Sequence, residues 1–225
     1  MRELLFKTIP NMTSMACDKF VAYHALLSEW NKKINLTAIT EPEAVIKKHF
    51  LDSLAALPYL TDGAKVVDVG TGAGFPGLPL LIVNPTLKMT LVDSLQKRVK
   101  FLEILCAELG LSAACLHKRA EDMGTDPSHR ETFDAALTRA VAPLPVLLEL
   151  TLPLVRVGGR SICYKGETYA ELPLAENAAL VLGGKLSQVS IPADYGLRCL
   201  VMCDKITPTP PAYPRKAGIP AKKPL

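Results

Sequence analysis

The chain has 225 residues, 49% of them apolar, with 26 basic and 22 acidic side chains and a formal net charge of +4. That apolar content excludes wholesale disorder, and the length suits one α/β domain with a modest extension. No stretch approaches the ~20 uninterrupted apolar residues of a membrane span, and the mild basicity permits an anionic partner without requiring one.

Residues 1 to about 60 read as helical. Phe20, Tyr23, Leu27 and Trp30 recur at helical spacing. Thr40-Glu41-Pro42-Glu43 has the form of a capping box with proline in the first turn, which predicts a helix over about 41–57. "WNKKINLTAI" is then the connection between two helices. From Lys65 the pattern changes. "KVVDVG" and "KMTLVD" are short apolar runs with the look of buried parallel strands. "LQKRVKFLEILCAELG" is an amphipathic helix whose Val99, Leu102, Cys106 and Leu109 share a face and which Gly110 stops. "AACLH", "FDAALTRA", "RSICYK" and "LRCLVMCDKI" are further strands. Strands alternating with helices imply a doubly wound α/β sheet with helices on both faces, which binds ligands at the carboxyl ends of its strands. From Thr207 the chain is rich in proline and carries Arg215, Lys216, Lys222 and Lys223 without an acid, an extended basic tail. The divisions are a helical extension over 1–60, a cofactor-binding domain over 61–206 and the tail over 207–225.

Six cysteines, with no C-x-x-C pair, read as buried reduced thiols of a cytosolic protein rather than as disulfides or a zinc site. The N-terminus lacks the basic-then-apolar pattern of a signal sequence.

"VVDVGTGAGFPGLPL" carries the chemistry. Its glycines allow a sharp strand-to-helix turn and close approach to a ligand, and Pro76 suits a first helical turn. Asp93 ends the next strand, placed for ribose hydroxyls. These features fit NAD and S-adenosylmethionine almost equally. Three observations favour the second. Asp68, two residues before Gly70, suits a ligand carrying a sulfonium and an ammonium better than a pyrophosphate. The chain has no room for the substrate domain of a two-domain dehydrogenase. No tyrosine has a lysine four residues later, as a short-chain dehydrogenase requires.

The acceptor is narrowed by chemistry. C5-pyrimidine methylation needs a nucleophilic cysteine, and no Pro-Cys pair is present. Exocyclic amine methylation commonly uses an Asn/Asp-Pro-Pro-aromatic turn after the fourth strand, where this chain has "TRAVAPLP". A ring nitrogen with a free lone pair, such as guanine N7, needs no general base, and His24, His49, His117 and His129 are scattered.

Taken in order, "WNKKINLTAI", "HFLDSL", "DVGTGAGFPGLPL", "LVDSLQKRVKFL", "RAED", "FDAALTRAVAPL", "YKG" and the ending "YPRKAGIPAKKPL" resemble the signatures of the small-subunit (16S) ribosomal RNA guanine-N7 methyltransferase family over nearly the whole chain. The resemblance implies a Rossmann-like class I methyltransferase sheet with an N-terminal helical extension, S-adenosylmethionine as donor, and a guanine of 16S ribosomal RNA as acceptor. Carried over by position, Gly70 and Phe75 line the cofactor loop, Gly72 and Gly74 shape it, Asp93 takes the ribose hydroxyls, and Ala120 and Glu121 border the adenine. Arg139 stands at the junction of cofactor and target. Where the family commonly has proline and leucine, this chain has Ala73 and Phe75. Lys165 is a second candidate for RNA or base contact, with a solvated strand end as the plain alternative. Asn35, His49 and Asp52 either pack the extension over the site or meet RNA. Lys97, Arg98 and Lys100 form either a phosphate-binding patch or a charged helix face. The implied partner is 16S ribosomal RNA or the small ribosomal subunit, with no membrane or DNA partner, for a cytoplasmic monomer. Two rivals remain at this point: an NAD(P)-dependent oxidoreductase, and an RNA-binding protein without activity.

Overall fold

The computed structural model describes residues 1–166 and 170–225. Among them run β1 (Lys65–Val69), β2 (Lys88–Asp93), β3 (Ala113–His117), β4 (Phe133–Arg139), β5 (Val155–Lys165), β6 (Gly184–Ile191) and β7 (Arg198–Lys205). They form one sheet in the order β3-β2-β1-β4-β5-β7-β6. β1 to β5 are parallel, whereas β7 runs antiparallel to both its neighbours. The chain winds outward from β1 to β3, then returns to the other side of β1 at β4. This reversal leaves a crevice at the carboxyl ends of β1 and β4.

The helices are α1 (Arg2–Thr8), α2 (Ser14–Ile34), α3 (Pro42–Val45), α4 (Gly77–Val83), α5 (Gln96–Leu109), α6 (Ala120–Thr125), α7 (Leu144–Thr151), α8 (Leu172–Val181) and α9 (Ile219–Lys222). Strand pleating sends alternate side chains to opposite faces. Val66, Leu91, Leu137, Ile162 and Leu200 therefore pack with α2, α4 and α5. Val67, Val69 and Ala136 pack with α6 on the other face, and Cys163, Val201 and Cys203 pack there with α7 and α8. Each fully buried aliphatic side chain contributes about 1.5–3 kcal/mol, which is why both faces of the sheet are covered. α5 follows its expected bounds, and Gly110 stops it in the left-handed conformation.

The N-terminal helices join the core of the first face through Phe20, Tyr23, Leu27, Ile46 and Phe50. α2 is capped by Thr13, whose side chain accepts from the Ala16 N–H at 3.1 Å, and it runs on through the first half of "WNKKINLTAI" to a left-handed Asn35. The connection therefore covers only the second half of that segment. The expected capping box at Thr40 does not form. Glu41 is the cap residue and makes no side-chain cap bond, because Glu43 instead pairs with Lys47 one turn on. Pro42 does open the helix. Beyond α3 the chain does not continue as a uniform α-helix. It passes through a π-helical stretch (Ile46–Leu51) and a 3₁₀ stretch (Leu54–Tyr59) with Pro58 inside, the proline lacking the N–H that an α turn needs.

β6 carried no clear sequence signal. It is an edge strand, half-exposed and rich in Lys, Ser and Gln, so its alternation is weak. The tail is extended apart from α9, and it is bound down. Arg130 donates to the carbonyls of Thr209 and Tyr213, each at 2.7 Å. Arg215 pairs with the fully buried Glu149, and the buried Lys205 holds Glu131 at 2.9 Å. The charge of Arg215 is thus spent within the fold. Among the described residues, no helix is long and apolar enough to cross a membrane.

Candidate active site

A cavity of about 680 Å³ opens at the crevice between β1 and β4. Gly70, Gly72 and Phe75 line it from the turn after β1, Arg139 from the end of β4, and Lys165 from the end of β5.

The glycine turn is held in place from several sides. Gly70 has φ +70°, and a Cβ there would meet Val141 at 2.6 Å. Gly72 has φ +61°, and a Cβ there would meet nothing within 4 Å, so bare backbone faces the cavity. The N–H groups of Gly70 and Thr71 donate to the Val92 carbonyl, and that of Gly72 donates to Asp93 Oδ2 at 3.0 Å. From the extension, the Tyr23 hydroxyl donates to the Ala73 carbonyl at 2.6 Å, and its ring stacks on Phe75 with centroids 5.3 Å apart.

Asp68 lies under this turn and is fully buried. Its Oδ2 accepts from Thr71 Oγ1 at 2.7 Å and from the Gly77 N–H at 2.8 Å. Its Oδ1 has no partner among the described residues. Burial pushes its carboxyl up to about 6, against the pull of these two donors.

Arg139 is tied to the extension. Its Nη1 donates to Asp52 Oδ2 at 2.9 Å, and its guanidinium carbon lies 5.0 Å from the Phe75 ring centre. Its Nη2 lies 3.3 Å from His49 Nδ1. Arginine can only donate, so Nδ1 accepts and the His49 proton sits on Nε2, where it donates to Thr37 Oγ1 at 2.8 Å. Burial, with Arg139 nearby, lowers the His49 ring to about 4 and keeps it neutral. His49 also stacks on Phe75 at 4.5 Å. The next residue after Arg139, Ala140, is left-handed at φ 57° and lines the cavity, a strained conformation of the kind found at binding sites.

Asp52 is buried and shared. It accepts from Arg139 and, through both oxygens, from Arg198 Nε at 2.7 Å and Nη2 at 2.8 Å. Arg198 reaches the site because β7 is antiparallel, which puts its amino end beside the carboxyl ends of β4 and β5. Sequence reasoning passed over Arg198, Lys48, Tyr195 and Glu171, all of which line the cavity. Asn35, by contrast, serves as the end cap of α2.

The remaining candidates sit further off. Gly74, Asp93, Ala120 and Glu121 are not among the described residues lining the cavity. Asp93, 3% exposed, accepts from the N–H groups of Gly72 and Leu95 and meets Arg98 Nη1 at 3.3 Å. Ala120 packs with Val67 and Val92. Glu121 accepts from the Gly218 N–H of the tail at 3.0 Å. Lys165 pairs with Glu171 Oε2 at 2.6 Å. Lys97 and Lys100 are exposed on α5, while Arg98 lines the cavity.

Comparison with known proteins places this geometry. Solved structures share the fold at low identity. A methyltransferase from Pyrococcus furiosus aligns with TM-score 0.59 at 14% identity, covering 84% of this chain and 98% of that one. A SAM-dependent methyltransferase from Aquifex aeolicus aligns with TM-score 0.55 at 18% identity, covering 80% and 98%. Relatives named ribosomal RNA small subunit methyltransferase G are far closer in sequence. The protein of Desulfitobacterium hafniense (strain Y51) is 49% identical over 92% of this chain and 89% of its own. That of Desulforamulus reducens is 48% identical over 100% and 95%. The family model described as rRNA small subunit methyltransferase G matches residues 16–194. With that match covering most of the sheet and the extension, the chain belongs to the ribosomal RNA small subunit methyltransferase G family.

Proposed function

We propose that the chain transfers a methyl group from S-adenosylmethionine to N7 of a guanine in 16S ribosomal RNA. The observation that carries this reading is the bare turn at Gly72 above a buried carboxylate, Asp68, whose Oδ1 has no partner among the described residues. A pyrophosphate would meet that carboxylate with like charge. A ligand bearing an ammonium and a sulfonium satisfies it. The residues therefore fit S-adenosylmethionine, which supplies an electrophilic methyl carbon when bound. The membership of the family and the names of its relatives point to the same acceptor RNA.

In this reading the turn of Gly70, Gly72 and Phe75 cradles the amino-acid end. Asp93 offers the ribose hydroxyls the lone pairs left over after Gly72 and Leu95. Ala120 and Glu121 border the adenine. Lys48, Arg98, Arg139, Lys165 and Arg198 make the cavity wall cationic, as an RNA backbone requires. Arg139, anchored by Asp52, orients the acceptor. Guanine N7 has a free lone pair and becomes cationic as it reacts, so no protein base is needed and positioning dominates. The neutral His49 agrees with this, since it adds no charge against the forming cation. The protein acts as a monomer on ribosomes or ribosomal RNA in the cytoplasm.

Calorimetry with S-adenosylhomocysteine and with NADH tests the cofactor. Binding of the first and not the second is expected, and the reverse would return the chain to the oxidoreductases. Transfer of labelled methyl to subunits lacking the modification tests the activity, and no incorporation at any base would leave only an RNA-binding role.

A further inference from the structure

The cavity wall holds five cations and, among its described residues, a single acid, Glu171. A carboxylate in a site for a polyanion costs affinity, so its presence asks for a cause. One is local: Glu171 Oε2 accepts from the Leu144 N–H at the start of α7 at 2.8 Å. A neutral serine or asparagine would serve there equally well. The other feature is its neighbour. Lys165 Nζ lies 2.6 Å from the same carboxylate, so a pure donor and a pure acceptor stand side by side in the cavity, 13% and 31% exposed.

That pattern matches one base. On guanine the O6 acceptor stands next to the N1–H donor, with the N2 amino group beyond it. On adenine the order is inverted, with the N6 amino donor next to the N1 lone pair. We propose that Lys165 and Glu171 together read the target guanine, with the Lys165 ammonium donating to O6 and the Glu171 carboxylate accepting from N1–H and N2–H. This rests on guanine being the acceptor, and it assigns the two side chains that select it. Adenine would set the ammonium against an amino group and the carboxylate against a lone pair, leaving buried polar groups unpaired. The pair is preformed, so the base exchanges one ion pair for contacts to both partners. The carboxylate's remaining lone pairs allow Glu171 to keep its bond to the Leu144 N–H.

The test pairs a change in the protein with a change in the base. Short 16S RNA or reconstituted subunits are prepared with guanine or with inosine, which lacks only the N2 amino group, at the target position. N7 methylation rates are measured for the parent chain, Glu171→Ala and Glu171→Gln. The glutamine variant keeps an oxygen for the Leu144 N–H and guards against a misfolded alanine variant. The parent is expected to prefer guanine by about tenfold, as loss of one hydrogen bond to a charged group implies. Both variants are expected to slow on guanine by on the order of tenfold to a hundredfold, with the guanine-to-inosine ratio falling towards one. A purely structural glutamate would slow both substrates alike. An unchanged ratio in Glu171→Gln would therefore overturn base reading while leaving guanine-N7 transfer intact. Failure of the parent chain to methylate the guanine substrate would instead overturn the reading on which this one rests.

Discussion

Asp68 sets how the site should respond to pH. Its folded carboxyl is raised to about 6 by burial, whereas an unfolded one ionises near 4. Relative to the unfolded chain, the protonated form contributes stability that is present below about pH 4 and is lost as pH rises through about 6. The parent should therefore lose stability relative to Asp68→Asn as pH rises from about 4 to about 7, by on the order of 2–3 kcal/mol. Parallel stability profiles from melting curves across that range would remove Asp68 as the cause. A cationic ligand favours the carboxylate, so S-adenosylhomocysteine should bind more tightly at about pH 7 than at about pH 5, with a proton released on binding at the lower end. Calorimetry in buffers of different ionisation enthalpy reads that proton, and Asp68→Asn should abolish its release. Asp68 was legible in the sequence because it stands two residues before Gly70, at the end of a strand that feeds a glycine turn. Arg139 was legible as the end of a strand. Glu171 was not, since nothing in "ETYAEL" tells that it faces Lys165.

Among the strands and helices, two readings turned on partners distant in sequence. "LRCLVMCDKI" is recognisable as a strand, but its direction is not, and direction is what brings Arg198 to the site. The tail was legible as extended and basic, but Glu149 lies within an apolar helix whose composition gives no hint that Arg215 will meet it. Burying Glu149 depends on that pairing, because an unpaired buried carboxylate is expensive. Arg215→Met should destabilise the fold by about 2–3 kcal/mol, the lower part of the range for a broken buried pair because Arg215 is partly exposed. The double variant Arg215→Met with Glu149→Met should recover much of the loss in urea denaturation. Equal stability of the single and double variants would show that the pair is not the tail's anchor. The stretch after Thr40 misled for a related reason: its composition fits a capped α-helix, while the packing of Ile46 and Phe50 and the bonds to His49 and Asp52 widen it to a π turn.

Across the molecule, the extension and the sheet build one site. Tyr23 holds the Ala73 carbonyl, Phe75 lies against Tyr23 and His49, and Asp52 joins Arg139 to Arg198. Tyr23→Phe leaves that buried carbonyl unpaired, at a cost of about 1–3 kcal/mol. S-adenosylhomocysteine affinity should fall several-fold with it, because the turn loses its outer tether. Unchanged affinity would mean that β2 alone holds the turn, through Val92 and Asp93. The sheet order was largely legible from the alternation of apolar runs and helices, but the joint construction of the cavity was not, because the contacts span more than eighty residues of sequence. The most direct measurement is to incubate the chain with S-adenosylmethionine and small subunits lacking the modification, then map the RNA by cleavage specific for N7-methylguanine. The expected result is one new cleavage, at a single guanine of 16S ribosomal RNA, strongly reduced with Arg139→Ala. Methylation at another atom or base, or full activity in Arg139→Ala, would contradict it.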